Sequence, residues 1–170
     1  MSGKMTPVGN YPDSYVQDPK HYKMVPRAYM DLDGEDTFYV TYQADSLIYE
    51  LDADFATKTV FGFQGKDMDT DYEEFSNDQE QMGRALMKNQ EEKGYYNWIK
   101  KVNGLLFRSY QKSAASDYDG LQIYEGRVLI GDVKIPRGMK VVGYVAPYYI
   151  SSIVCDEDTE TMWFYRFKLK

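Results

Sequence analysis

Three aspartates at alternate positions, Asp67, Asp69 and Asp71, follow Gly65. Carboxylates at positions 1, 3 and 5 of a loop can converge oxygen ligands on calcium, as they do in an EF-hand. The rest of the loop departs from that pattern. Position 6 is Tyr72, where glycine makes the sharp turn, and position 12 is Asp78, where a bidentate glutamate completes the shell. The three aspartates are therefore weak metal candidates, and the sequence is read as requiring no metal and no cofactor. An acidic loop leading into a helix is favoured by the helix dipole without any ion. Asp31, Asp33 and Asp36, grouped around Gly34, read as a plain turn.

A second chemistry is recognition by aromatic rings. Trp98, Tyr95, Tyr96, Tyr148 and Tyr149 could stack on sugar faces while nearby carboxylates accept hydrogen bonds from hydroxyls, and they are the candidate ligand-binding residues. Core packing competes for the same residue types, because aromatic side chains fill the pleated surface of strands. The 27 acidic residues offer many carboxylate pairs for glycoside hydrolysis, but no pair is singled out by its surroundings. The single histidine, His21, excludes a His-rich zinc, copper or iron centre, and its Pro- and Tyr-rich setting argues against a Ser-His-Asp triad. The single cysteine, Cys155, excludes an internal disulfide and a multi-cysteine metal site, and its neighbours Asp156, Glu157 and Asp158 disfavour a reactive thiolate. No catalytic residue is assigned.

Composition narrows the partners. With 20 basic residues scattered among 27 acidic ones, the net charge of -7 argues against nucleic acid, whose binding needs a basic stripe to release counterions. No apolar run approaches the roughly 18 residues of a membrane span. No apolar stretch follows Lys4, so the first residues read as neither a signal peptide nor a lipoprotein signal. At 170 residues the chain is about one domain.

The elements that must position these residues are strands. Seventeen tyrosines and short alternating runs predict half-buried strands at 37–42, 47–51, 59–63, 95–102, 105–110, 121–124, 128–135, 140–145, 148–155 and 162–169. Turn chemistry separates them at 31–34, 52–54, Asn103-Gly104, Asp119-Gly120, Glu125-Gly126, 136–138 and 156–158. One segment, 76–93, lacks β-branched residues, has capping-box spacing at Ser76 and Gln79, places Met82, Ala85, Leu86 and Asn89 at helical intervals, and precedes Gly94. It predicts one surface helix inserted among the strands. Residues 1–26, with four prolines, read as irregular chain, and 27–170 as the folded domain.

Leu47 to Leu51, Leu121 to Glu125 and Trp163 to Phe167 look alike, and aligning Tyr49, Tyr124 and Tyr165 suggests a repeat interrupted by the helical insertion. A unit of about 40 to 45 residues with four short strands has the size of a propeller blade. The expected fold is all-β, with short antiparallel meander sheets forming a partial β-propeller of about three blades.

The segments Phe38 to Tyr49, Phe61 to Lys66, Gly104 to Tyr110 and Tyr144 to Ile150 resemble the C-terminal half of the six-bladed β-propeller lipoproteins of Bacteroidetes-type bacteria. The resemblance covers about residues 27 to 169. It implies a cell-envelope or periplasmic setting and supplies no catalytic residues. The lipoprotein signal and the N-terminal blades of that family are not seen, so the chain reads as a shortened relative. The function expected is non-enzymatic binding or scaffolding, with a protein, peptide or glycan ligand. The alternatives are a glycan-acting enzyme using paired carboxylates and a fragment without independent activity. Incomplete closure would leave apolar sheet faces open, so a homodimer through those ends is also expected.

Overall fold

The computed structural model describes residues 7–9, 11, 27–34, 36–73, 79–156 and 159–169. The fold is all-β with one helix. Four strands, β1 (Ala28–Asp33), β2 (Thr37–Tyr42), β3 (Ile48–Leu51) and β4 (Thr57–Phe61), form a first antiparallel meander. A second meander contains β5 (Tyr95–Val102), β6 (Leu105–Gln111), β7 (Tyr118–Glu125) and β8 (Val128–Pro136). The third sheet has the order β13-β10-β9, from β9 (Val141–Val145), β10 (Tyr148–Ser151) and β13 (Arg166–Phe167). A small hairpin, β11 (Val154–Asp156) with β12 (Thr161–Trp163), is inserted before β13. Helix α1 (Gln79–Glu92) lies between the first two meanders in sequence.

The sheets stack face to face. Tyr39 and Ile48 of the first meander pack on Ile99, Leu106 and Tyr124 of the second. On its opposite face the second meander places Phe107, Leu121 and Ile123 against Val141 and Tyr149 of the third sheet. Strand β5 lies against both β1 and β9, so the leading strands of the three sheets run together along one side. Short meanders, stacked in chain order with leading strands adjacent and not closed, are consistent with a partial propeller of about three blades.

Several local expectations needed correction. Residues 31–33 belong to β1 and are not a turn. Asp31 is taken up by the second meander, its carboxylate accepting from Lys101 N (2.8 Å) and pairing with Lys100 Nζ (3.2 Å), while Gly34 (φ 74°) makes the turn. Asp119-Gly120 is likewise inside β7, where Gly120 is needed because a Cβ there would lie 2.0 Å from Cζ of Tyr110. The single strands expected over 148–155 and 162–169 are each divided. Ser151 exchanges hydrogen bonds with Tyr165 at a register shift, and the chain beyond it turns away into the β11–β12 hairpin.

The helix ends at Glu92, one residue before the expected end, and residues 76–78 at its expected start lie outside the described residues. Gly94 follows it through close packing, since a Cβ would sit 2.4 Å from Met68 Cγ and 2.6 Å from Lys112 O. Of the three aligned tyrosines, Tyr49 and Tyr124 both occupy third strands and face the same way along the stack, while Tyr165 precedes its third strand by one residue. Of the irregular segment expected over 1–26, only residues 7–9 and 11 are described, and they carry no regular structure.

Candidate binding groove

Strand alternation gives the first meander two faces. One packs on the second meander. The other carries three registered rows: Ala28 and Tyr42; Met30, Val40, Tyr49 and Val60; Leu32, Phe38, Leu51 and Thr57. A groove of about 910 Å³ runs over this outer face, with Met30, Val40 and Leu51 on its floor and Tyr11, Tyr42, Tyr49 and Phe55 among its walls.

The walls are held by local chemistry. Tyr49 Oη donates to Asp45 Oδ2 (2.7 Å), and the other oxygen of that buried carboxylate accepts from Leu47 N (2.9 Å). Tyr42 meets Tyr49 edge-on at 5.6 Å between centroids and Tyr11 at 5.7 Å. Burial first, then Tyr11 and Asp45, pushes the Tyr42 hydroxyl above its ordinary acidity range. Phe55 stands in the left-handed region (φ 62°), costly for an aromatic residue and of the order of 1–3 kcal/mol. Asp52 holds it there: Oδ1 accepts from Asp54 N (3.0 Å) and Ala56 N (2.9 Å), and Asp52 O accepts from Phe55 N (3.0 Å). The Phe55 ring then stacks on Phe38 at 4.6 Å. An apolar floor with pinned aromatic walls suits apolar or aromatic side chains of a ligand.

Beneath the first meander, Arg108 of β6 is fully buried. Its row across the second meander, Ile99, Arg108, Gln122 and Asp132, follows from the register. The guanidinium donates to Gln122 Oε1 (2.9 Å from Nε), to Ser46 O (2.9 Å), to Phe63 O (2.7 Å) and to Tyr124 Oη (3.2 Å). It lies 3.9 Å above the Tyr96 ring. Among the described residues no carboxylate bonds to it directly. Asp132 is reached through Gln122 Nε2 (3.1 Å) and also accepts from Tyr110 Oη (2.6 Å) and Lys66 N (3.0 Å). Ser46 and Phe63 flank β3 and β4, so this cage fixes the first meander on the second.

A partly buried cation, Lys140, sits before β9. Its Nζ donates to Asn97 Oδ1 (2.5 Å) and lies 3.8 Å from Asp119 Oδ2. Burial lowers it to about 8, with Asp119 opposing the shift.

The five expected ligand-binding residues are placed in different surroundings. Tyr96 is buried in the Arg108 cage, donating to Phe63 O (3.1 Å) and accepting from Gly65 N (2.9 Å), and burial pushes it up to about 12. Tyr149 is buried between Phe107, Tyr144 and Phe167. Trp98 is half-buried, its Nε1 donating to Val141 O (3.2 Å) and tying the second meander to the third sheet. Tyr95 is also half-buried, and burial raises its hydroxyl above the ordinary range. Tyr148 is on the outer face of the third sheet, its ring beneath Arg166 and Lys168. The five are not gathered on one surface. Asp67 and Asp69 each face a lysine, Lys112 at 3.3 Å and Lys93 at 3.1 Å, and Asp71 N donates to Asp69 Oδ1. Among the described residues no group of three His, Cys, Asp or Glu side chains could hold a metal ion.

Sequence reasoning overlooked the groove and the Arg108 cage. The cage had a signal: Arg108 stands between Leu106 and Tyr110 at an inward-facing position of an apolar strand, where a charge is out of place. No family model, curated protein or solved structure matches the chain.

Proposed function

We propose that the chain is a non-enzymatic binding or scaffold protein that works through the open outer faces of its sheet stack. The observation that carries this reading is the groove over β1–β4. It is aromatic-walled and apolar-floored, and Met30 on that floor is 52% exposed. Exposed apolar surface that a fold shapes, rather than scatters, marks an interaction site. A protein or peptide segment offering apolar side chains is the ligand class that this lining fits. The bacterial cell envelope as its setting is supported by the sequence resemblance alone. Self-pairing through open sheet ends is a further expectation of the same reading.

The test is a random peptide library selected against the immobilised chain, with affinities of the selected sequences measured by calorimetry. Selected peptides are expected to carry aromatic or branched apolar residues. Their affinity should fall at least tenfold for Met30→Lys, which places a charge on the groove floor at an exposed position. Equal binding to the wild type and to a folded Met30→Lys chain would overturn the reading.

A further inference from the structure

The end of the stack opposite the groove carries a different chemistry. Strand β10 runs between β13 and β9, and Tyr149 turns to the core with Tyr144 and Phe167, so Tyr148 and Ile150 of β10, Val145 of β9 and Arg166 of β13 lie on the outer face. Burial alternates along the chain entering and leaving β13. Tyr165 and Phe167 pack on the core, while Phe164, Arg166 and Lys168 are exposed. The apolar groups at the two sides stand well out of the fold, Phe164 at 70% and Val145 at 68% exposure.

Between them, the guanidinium of Arg166 and the ammonium of Lys168 lie 4.9 and 4.8 Å from the centroid of the Tyr148 ring. Neither forms an ion pair among the described residues. Two like charges held over one ring repel each other, and an anion set against both would replace that repulsion by attraction and by charge-assisted hydrogen bonds. The surroundings decide which anion. Anionic lipid recruits clusters of about 4–8 basic residues and nucleic acid a basic stripe, whereas here two cations stand on a chain of net charge -7, which repels a long polyanion. Exposed apolar groups flank these cations instead. A short segment that carries carboxylates between apolar side chains matches that order. β13 and β9 are two strand spacings apart, about 10 Å, which an extended chain crosses in about three residues.

We propose that the outer face of the third sheet is a second recognition surface, and that its partner is an extended acidic segment of another protein. The carboxylates of that segment accept from Arg166 and Lys168, and its neighbouring apolar side chains cover Phe164 and Val145. Tyr148 acts there through the cations it holds. This surface shares with the groove the reading of the chain as a binding protein, and it uses none of the groove's residues.

The test titrates the full chain into a fluorescein-labelled peptide of alternating valine and glutamate, and into its valine–glutamine counterpart, with anisotropy as the readout. The glutamate peptide should bind about tenfold more tightly than the glutamine peptide and should lose about fivefold between about 0.05 and about 0.5 M salt. The double variant Arg166→Gln/Lys168→Gln should lose about tenfold, and Arg166→Lys, which keeps the charge, no more than about threefold. Lys168→Gln alone, expected to lose about threefold, replaces the double variant if that chain loses its native circular dichroism. Lys58→Gln, which removes an exposed cation from the first meander, should change the affinity less than about twofold. Equal affinity for the two peptides, or a loss with Lys58→Gln as large as with the double variant, would overturn the proposal. So would cosedimentation with phosphatidylserine vesicles that the double variant abolishes, because the two cations would then serve lipid. If neither peptide binds while library-selected peptides still lose affinity on Met30→Lys, this surface is removed and the groove reading stands.

Discussion

Replacing Arg108 with lysine or methionine tests what fixes the groove-bearing sheet in place. The guanidinium reaches acceptors on two meanders at once, and it does so fully buried. Lysine keeps the charge and therefore its burial cost, but a compact ammonium cannot span Gln122, Ser46 and Phe63 together. Methionine removes the charge along with the donors. The acceptors suffer unequally. Phe63 O retains Tyr96 Oη and Gln122 Nε2, and Gln122 Oε1 retains Tyr124 Oη, whereas Ser46 O loses its guanidinium donor. One poorly satisfied buried carbonyl costs about 1–3 kcal/mol, and loss of a desolvated cation–π contact with Tyr96 adds about 2 kcal/mol. Arg108→Met should therefore lose about 3–5 kcal/mol, reduced by whatever desolvation it relieves, and Arg108→Lys should lose no less. Urea unfolding followed by tyrosine and tryptophan fluorescence measures both. A lysine variant within about 1 kcal/mol of wild type would mean that charge alone suffices and that the fork geometry is irrelevant.

Three further outcomes follow from particular contacts. Gly120→Ala drives a methyl into the buried Tyr110 ring and should cost at least about 3 kcal/mol in the same urea assay, with loss of near-ultraviolet tyrosine ellipticity. Tyr49→Phe leaves Asp45 Oδ2 without its hydroxyl donor and should cost about 1–3 kcal/mol, whereas Tyr144→Phe, whose ring is partly exposed, should cost little. Lys140, lowered from 10.5 to about 8, binds fewer protons folded than unfolded between those values, so it makes stability rise with pH from about 8. Above pH 10 Tyr96, raised from 10.0 to about 12, binds more protons folded than unfolded and reverses the trend. Thermal melts from pH 7 to 11 should show the rise, of the order of 2 kcal/mol, and Lys140→Met should flatten it.

Apart from β1 (Ala28–Asp33), which was not expected as a strand, the strands of the two complete meanders were legible because runs rich in aromatic and β-branched residues are bounded by turn residues. Thr37–Tyr42 and Tyr95–Val102 are bounded where the sequence places them, and Asn103-Gly104 forms the expected turn with both residues at positive φ (48° and 82°). The misplaced turns share one cause. Asp31, Asp33 and Gly120 are turn formers by local preference, yet each is held in a strand by a partner distant in sequence: Lys100 and Lys101 for the aspartates, the Tyr110 ring for the glycine. The aromatic candidates failed to single out a surface for a related reason. A ring on a strand points to one face or the other, and only the stacking order reveals whether that face is covered. Tyr96 and Tyr149 lie between sheets, while Tyr42 and Tyr49, themselves buried, line the groove, and no feature in the sequence separates the two settings.

The groove over β1–β4 is proposed as the binding surface of this chain. The most direct test places the photo-reactive residue p-benzoylphenylalanine at Thr57, an exposed position on the groove rim, and identifies its cross-links to library-selected peptides by mass spectrometry. Links from Thr57 to the peptides, lost when Met30→Lys is added, are expected. Peptides that bind the chain with undiminished affinity and give no link from Thr57 would contradict the groove as their site.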